Sequence, residues 1–201
     1  MNAGENEHQS SPPHRARLLV FLSGSGRTLA NLFEHINNAS LNASIELVVS
    51  NRPCIGLDIA DDHSVATEII DGSPTADQLD TRVREHAIDW IILAGYLKLV
   101  PITPLTQGRI VNIHPSLLPA FGGPGMHGLK VHTAAIEAAK QGKITESGCT
   151  VHFADEQYDT GKIILQRRCP IHPTDTPSEL AARVFELECQ AFPEALRTLI
   201  N

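Results

Sequence analysis

The chain has 201 residues, 42% of them hydrophobic and 19% charged, a composition typical of one globular domain with a buried core. Its formal net charge of -7 argues against a basic nucleic-acid-binding surface, although a small anionic substrate would need only a local positive site. The four cysteines are far apart, which predicts neither a zinc framework nor a disulfide scaffold, and no apolar run approaches the roughly 18 residues of a membrane span.

The N-terminal residues 1–16 are polar and contain no hydrophobic signal segment. We interpret them as a flexible extension before the fold, predict a single domain over 17–201, and expect a cytoplasmic protein. Short apolar runs alternate with helical patterns along this domain. In chain order, the predicted strands are 17–22, 45–50, 65–70, 89–95, 109–114, 149–155 and 162–171. The predicted helices are 29–36, 56–62, one that ends near 86, 131–142 and 177–192.

The alternation of strands and helices predicts an α/β fold: an open, mostly parallel, twisted sheet of the Rossmann-like kind with helices on both faces. Only a loop separates the last two predicted strands, whereas a parallel connection needs a crossover of a dozen or so residues. We therefore expect an antiparallel strand pair near the C-terminal end.

A glycine-rich turn, SGSGRT at 23–28, separates the first predicted strand from the first predicted helix. Its glycines let a backbone come close to a phosphate, helix N-terminal amides attract anions, and Arg27 and Thr28 could add donors. The turn lacks the third glycine of a dinucleotide fingerprint, where Leu29 stands, and the Gly-Lys pair of a P-loop. We interpret it as a site for a monophosphate-sized anion; the alternative is a plain tight turn.

The octapeptide NIHPSLLP closes the fifth predicted strand, and its Asn112 and His114 share one face because they are two residues apart. Ligands of open α/β sheets bind at such strand ends. The Asn112 amide can donate to a developing oxyanion, and His114 can shuttle a proton near neutral pH. A carboxylate that orients the imidazole would complete the set. Asp159 is the best candidate, and Asp155 and Glu156 are weaker ones in the same loop.

Two alternatives apply to these polar residues. The strand-end asparagine and histidine could serve capping and packing alone. A metal site could be formed by His127, His132, His152 and Asp159, although their spacing matches no known ligand motif. For His132 and His152 we favour structural roles with satisfied ring nitrogens.

The segments SGSGRTLANL, SNRPCIGL, LAGYLKLV, NIHPSLLPAFGG and SGCTVHFADEQYDTGKIILQ together resemble the glycinamide ribonucleotide transformylases, folate-dependent formyltransferases of de novo purine biosynthesis. The resemblance extends from about Arg17 to about Pro193. It implies that the amine of glycinamide ribonucleotide attacks the formyl carbon of 10-formyltetrahydrofolate, without a metal. It also implies that Asn112 and His114 steady the tetrahedral oxyanion, while Asp159 raises the pKa of His114.

The same resemblance assigns the binding residues. It places the substrate phosphate at three residues of the glycine-rich turn: Gly26, Arg27 and Thr28. It places the folate at Leu97, Lys98, Leu99, Val100 and Asn112. Glu188 matches an acidic residue near the ribonucleotide, although a solvated helix face would explain this residue equally well.

This sequence departs from the family pattern in three places. Arg27 and Thr28 replace a commoner Ser/Asn pair, so we expect direct contact between Arg27 and the phosphate. That contact would compensate for the loop 72–77, which lacks a basic residue that is frequent in the family. The third departure is an insert, the glycine-rich loop 121–128, which we interpret as a lid or a substrate-side loop.

Three rival functions remain to be weighed. A formyltetrahydrofolate hydrolase is expected to carry an N-terminal regulatory domain, for which residues 1–16 are too short. A methionyl-tRNA formyltransferase would need an RNA-binding domain, and the acidic balance speaks against tRNA. A nucleotide-binding module would have no reason to keep Asn112, His114 and Asp159 together. The expected partners are two small-molecule substrates, not nucleic acid or a membrane; a homodimer is considered, but the sequence leaves the oligomeric state open.

Overall fold

The computed structural model describes residues 14–200. Residues 1–13 of the predicted N-terminal extension therefore lie outside the described residues. The strands are β1 (Ala16–Leu22), β2 (Ala43–Ser50), β3 (Ala66–Ile69), β4 (Trp90–Leu93), β5 (Ile110–His114), β6 (Glu146–Phe153) and β7 (Ile163–Pro170). The helices are α1 (Arg27–Asn37), α2 (Ile55–Asp62), α3 (Ala76–Glu85), α4 (Leu129–Lys140) and α5 (Pro177–Ile200). Every predicted strand and helix is present.

The seven strands form one sheet in the order β3-β2-β1-β4-β5-β6-β7. Strands β1 to β5 are parallel, and β6 runs antiparallel to both β5 and β7. The predicted mostly parallel sheet with an antiparallel C-terminal pair is therefore confirmed, and the reversed strand is β6 alone. The strand order reverses between β1 and β4, which is where open α/β sheets leave a crevice for ligands.

Both faces of the sheet are buried, and this explains why the strands read as continuous apolar runs. In β1, Leu18 and Val20 face a core formed with α1, α4 and α5, whereas Leu19 and Phe21 face a second core that includes α3. All four side chains are fully buried. A parallel strand covered on both sides needs apolar residues at every position. The predicted helices on both faces are therefore confirmed.

The last helix is longer than predicted. The predicted end at residue 192 is wrong, because α5 continues through Pro193 to Ile200. A proline inside a helix costs roughly 3 kcal/mol through the lost hydrogen bond and ring clash. Burying Phe192 and Leu196, which are fully buried on either side of it, is worth about 1.5–3 kcal/mol each. The burial of these two side chains therefore outweighs the cost of the proline inside the helix. Over the described residues, no helix has the length and apolar character needed to cross a bilayer.

Candidate active site

A cavity of about 500 Å³ lies at the carboxyl ends of β4 and β5, next to the N-terminus of α1. Its volume is in the range of small-molecule sites. The structure brings to it all but one of the sequence-predicted site residues: Arg27, Thr28, Leu97, Lys98, Leu99, Val100, Asn112, His114, Asp159 and Glu188. Gly26 lies just outside the lining. Residues 123–128 also line the cavity, so most of the glycine-rich loop forms part of its wall.

The sheet register places Asn112 directly opposite His152, in the antiparallel pairing of β5 with β6. The Asn112 amide nitrogen lies 3.1 Å from His152 Nε2 and 3.4 Å from Asp159 Oδ1. His152 Nδ1 lies 2.8 Å from the carbonyl of Phe153, which can only accept, so this nitrogen carries the hydrogen. Nε2 can then accept a hydrogen bond from the Asn112 amide. The ring nitrogens of His152 are satisfied as predicted, but its place beside the predicted catalytic residues was missed.

His114 is held by a backbone carbonyl on one side and faces Asp159 on the other. Its Nε2 lies 2.8 Å from the carbonyl oxygen of Phe121. Because a carbonyl only accepts, Nε2 carries the hydrogen, and in the neutral ring Nδ1 is left as the free base. Nδ1 lies 3.5 Å from Asp159 Oδ2, and the two side chains are only 5% and 8% exposed. The nitrogen available for proton transfer therefore points toward the carboxylate.

Burial lowers the pKa of His114 below its ordinary value, an effect that the sequence did not predict. The Asp159 carboxylate acts in the expected direction and raises the pKa, as does the hydrogen bond to Phe121. These two effects are smaller than the cost of charging a ring that is removed from water. The predicted effect of Asp159 on the pKa of His114 is therefore confirmed, but burial of the ring makes the net shift downward. The lowered pKa favours the neutral ring, in which Nδ1 is the free base.

Asp159 is an ionised carboxylate fixed by its backbone and its neighbours. Its φ of 61° places it in the left-handed region, which aspartate tolerates better than most residues. The Gly123 amide donates to Oδ2 over 2.9 Å. Burial would raise the pKa of Asp159, but His152, His114 and the Gly123 amide outweigh it and hold the pKa below its ordinary value.

The weaker candidates in the same loop do not approach His114. Asp155 and Glu156 are both exposed. The Asp155 carboxylate accepts hydrogen bonds from the Gln157 amide and the Thr160 hydroxyl, each over 3.0 Å. It therefore stabilises its own loop, and the structure brings Asp159 rather than Asp155 to the histidine.

The glycine-rich turn meets the cavity at the N-terminus of α1. Gly26 is the N-cap residue with a φ of 71°, and no side chain caps the first turn of the helix, which also contains no acidic residue. A Cβ at Gly26 would lie 2.6 Å from the Cα of Gly56, so α2 packs directly against the turn. The result is a helix N-terminus whose amide groups and dipole are available to an anion.

Arg27 begins α1 and is held by α5. Its guanidinium carbon lies 3.6 Å from the centre of the Phe185 ring, a cation–π contact. Phe185 and Glu188 are three residues apart and so share a helix face. Burial raises the pKa of Glu188 to about 7, while the nearby Arg27 acts to lower it. Sequence reasoning missed Phe185, because in the sequence it is an ordinary apolar position of a helix.

The predicted folate segment follows β4. Val100 is buried, whereas Leu97 and Leu99 are 36% and 37% exposed. The Leu97 amide donates to the hydroxyl of Ser23 over 3.0 Å, so this segment is tied to the start of the glycine-rich turn. The cavity therefore has an apolar wall fixed next to its positive end.

His132 lies on α4 and lines the cavity, but it is not satisfied as predicted. Its ring is buried, and its Nδ1 has no hydrogen-bond partner among residues 14–200.

The alternative metal site would combine His132 with His127, His152 and Asp159. Within the part of the chain that the structure describes, no group of three or more histidine, cysteine or acidic side chains is arranged to hold a metal ion.

Comparison with known proteins places these features in a family. Residues 16–196 match the family described as Formyl transferase. The chain is 37% identical over 204 residues to a chloroplastic phosphoribosylglycinamide formyltransferase of Arabidopsis thaliana, covering 96% of this chain and 68% of that protein. It is 40% identical to the same-named protein of Vigna unguiculata, covering 92% of this chain and 61% of that one. The chain thus spans about two thirds of the length of these relatives.

The same similarity is found in three dimensions. The fold matches the crystal structure of glycinamide ribonucleotide transformylase 1 from Symbiobacterium toebii with a TM-score of 0.82 and 32% identity. The match covers 98% of this chain and 93% of that chain.

Proposed function

The chain belongs to the formyl transferase family, and from this membership we propose that it transfers the formyl group of 10-formyltetrahydrofolate to the amine of glycinamide ribonucleotide, in de novo purine biosynthesis. The observation that carries the proposal is the meeting of Asn112, His114 and Asp159 at one end of a ligand-sized cavity that has an uncapped helix N-terminus at its other end. The names of the relatives from Arabidopsis thaliana and Symbiobacterium toebii support the same substrate.

The substrate phosphate binds at the positive end of the cavity. The free amides of the first turn of α1, together with Thr28, donate to the phosphate oxygens. Arg27 contributes a guanidinium that can donate to phosphate through two nitrogens. Glu188 is close to Arg27 and would accept hydrogen bonds from the ribose hydroxyls. The loop 72–77, which lacks a basic residue, is outside the cavity lining, so the proposed phosphate site is complete without it.

The folate binds along the apolar wall formed by residues 97–100. A cavity of about 500 Å³ accommodates a bicyclic ring and the reacting formyl group. The exposed edges of Leu97 and Leu99 offer apolar contact, and the backbone of the segment offers hydrogen-bonding groups to the ring. Asn112 contacts the formyl group at the inner end of this wall.

The reaction begins when the substrate amine attacks the formyl carbon. A carbon–nitrogen bond forms, and the carbonyl oxygen becomes an oxyanion. The Asn112 amide stabilises it with the hydrogen that otherwise makes the long, 3.4 Å contact with Asp159 Oδ1. One preorganised donor of this kind is worth about 3 kcal/mol of barrier. The attacking nitrogen carries a positive charge at this stage and must lose a proton.

His114 accepts that proton at Nδ1, directly or through a water molecule. The resulting imidazolium is stabilised by Asp159, whose Oδ2 lies 3.5 Å away, and by the Phe121 carbonyl on Nε2. The intermediate then collapses: the bond from the formyl carbon to the folate nitrogen breaks, and His114 returns the proton to that nitrogen. Charge and protons balance without any metal.

We propose that the enzyme is cytoplasmic. A homodimer remains a prediction.

The proposed reaction can be tested with an absorbance assay. The protein is mixed with 10-formyltetrahydrofolate or its 5,8-dideaza analogue, with and without glycinamide ribonucleotide. We expect deformylation of the folate only when the ribonucleotide is present. Equal turnover without the ribonucleotide would instead identify a hydrolase, and no turnover in either condition would overturn the enzymatic function.

A further inference from the structure

A buried hydrogen-bonded cluster fixes the loop that follows β5. Thr150 on β6 is fully buried, and its hydroxyl donates to the Ser116 carbonyl over 2.6 Å. The same oxygen accepts from the Leu118 amide over 3.0 Å and from the Gln166 side chain over 2.9 Å. Since a hydroxyl has one hydrogen and two lone pairs, its capacity is fully used.

Gln166 completes this cluster from β7, where it lies opposite Thr150 in the sheet. Its side-chain nitrogen also donates to the Leu118 carbonyl over 3.0 Å. Both backbone groups of Leu118 are therefore bonded to side chains of the sheet. Gln166 itself lies outside the cavity lining, so it does not reach a bound substrate.

The loop held in this way carries the groups that fix the catalytic residues. Phe121 has a φ of 57°, a left-handed conformation that a non-glycine residue keeps only when its surroundings hold it. Its carbonyl accepts from His114 Nε2. The next residue, Gly122, packs so closely that a Cβ would lie 2.6 Å from Leu118 and 3.1 Å from Asp159. Gly123 then donates to Asp159.

We propose that Gln166 is a positioning residue for catalysis, which acts through Leu118 and the loop 118–123 to fix the ring of His114 with its hydrogen on Nε2. The expected effect on the reaction rate rests on the proposed formyl transfer, whereas the expected effect on the ring of His114 does not. The Phe121 carbonyl must stay in place for Nδ1 to remain the free base. A loop that is free to move would release the carbonyl, and both ring tautomers would then be populated.

The amide of Gln166 is suited to this role in a way that a carboxylate is not. The Leu118 carbonyl and the Thr150 lone pair both need a donor, and the amide nitrogen supplies two hydrogens. In the variant Gln166→Glu, an ionised carboxylate would face the Leu118 carbonyl with no hydrogen to donate. The protonated carboxylic acid would restore one donor. The ionisable groups that surround His114, which are Asp159, His152 and His132, are unchanged in this variant.

The proposal is tested with Gln166→Glu and with Gln166→Leu, which removes the donors without adding charge. At neutral pH we expect kcat to fall by about tenfold or more, as small misplacements of catalytic groups commonly cause. KM for both substrates should stay near the wild-type value, because no cavity residue is changed. For Gln166→Glu alone, the ratio of variant to wild-type kcat should rise as the pH falls. NMR of the ¹⁵N-labelled ring should show Nε2–H for His114 in the wild type and mixed tautomers in both variants.

Val83→Ala is the matched control for lost stability, since Val83 lies on α3 and is buried in the core on the other face of the sheet. We expect it to lower Tm while leaving kcat and the His114 tautomer unchanged. If the Gln166 variants behave like this control, losing Tm alone, the positioning role is overturned. If the wild type transfers no formyl group, the proposed function fails, and the NMR comparison of wild type and Gln166→Leu still decides the positioning role by itself.

Discussion

The two ends of the cavity are built in opposite ways. At the proposed catalytic end, formed by Asn112, His114 and Asp159, the histidine and aspartate side chains are nearly excluded from water and each is bonded to the backbone. At the proposed anion end, formed by Gly26, Arg27 and Thr28, the arginine is exposed and lies against an aromatic ring. Burial shifts pKa values and fixes geometry, which governs the chemical step, whereas an exposed charge at a helix N-terminus governs binding. We therefore expect the catalytic end to control kcat and the anion end to control KM.

The largest effect should come from Asp159→Asn. The amide keeps the shape of the side chain but removes the charge that stabilises the imidazolium of His114, so kcat should fall by about 1000-fold. The fall is measured in steady-state transfer at saturating substrates. Asp155→Asn, in the same loop, is the matched control and should keep the wild-type kcat. A similar loss in both variants would contradict the assignment of Asp159.

Asn112→Ala should have the next largest effect. The loss of one preorganised oxyanion donor costs roughly 3 kcal/mol, which corresponds to about 100-fold in kcat. Asn42→Ala is a suitable control, because the Asn42 side chain bonds the backbone of residue 14 far from the cavity. If kcat were unchanged in Asn112→Ala, the oxyanion would have to be stabilised elsewhere.

The pH profile of kcat/KM, which reports the pKa values of the free enzyme, distinguishes a neutral His114 from a charged one. Burial lowers the pKa of His114 below 6.5, so the neutral base prevails at neutral pH and kcat/KM should fall only on the acid side of 6.5. Below the pKa, kcat/KM should decrease by about tenfold per pH unit. Asp159→Asn removes a charge that raises the pKa of His114, so the residual activity of that variant should persist to lower pH. An acid limb above pH 6.5 would contradict the neutral base.

Arg27→Ser should affect the other end of the cavity and by a smaller amount. A hydrogen bond to a charged group contributes about 1.5–3 kcal/mol, so KM for glycinamide ribonucleotide should rise by about tenfold or more. We expect kcat to be unchanged, because Arg27 follows β1 whereas Asn112 and His114 lie on β5, and β4 separates these two strands. The exposed Arg84 on α3 provides the control Arg84→Ser, which should leave KM unchanged. A fall in kcat with unchanged KM would show that Arg27 acts in the chemical step and not in substrate binding.

The sequence predicted the strand-borne part of the site well. Asn112 and His114 could be assigned to one face because a strand alternates with period two and a parallel sheet collects its carboxyl ends at one edge. His152 was missed as a neighbour of Asn112 because it is brought there by the pairing register of β6. That register depends on the length and shape of a connection more than thirty residues long.

Contacts between distant elements were the least predictable. Phe185 meets Arg27 only because α5 packs beside α1, and Gln166 reaches Leu118 only through the order of the last three strands. The net shift in the pKa of His114 could not be predicted for a related reason. A charge partner can be guessed from a motif, but the degree of burial that opposes it is a property of the whole fold. Tertiary burial likewise carried α5 past Pro193.

The division between the two ends is tested most directly by a double-variant cycle in single-turnover transfer. Wild type, Asp159→Asn, Arg27→Ser and the double variant are compared for the chemical rate at saturation and for the affinity of glycinamide ribonucleotide. We predict that Asp159→Asn lowers only the rate, that Arg27→Ser lowers only the affinity, and that the double variant shows the two losses combined without coupling. If Arg27→Ser slowed the chemical step in the wild-type background but not in Asp159→Asn, the two ends would act as one unit and their separate roles would be refuted.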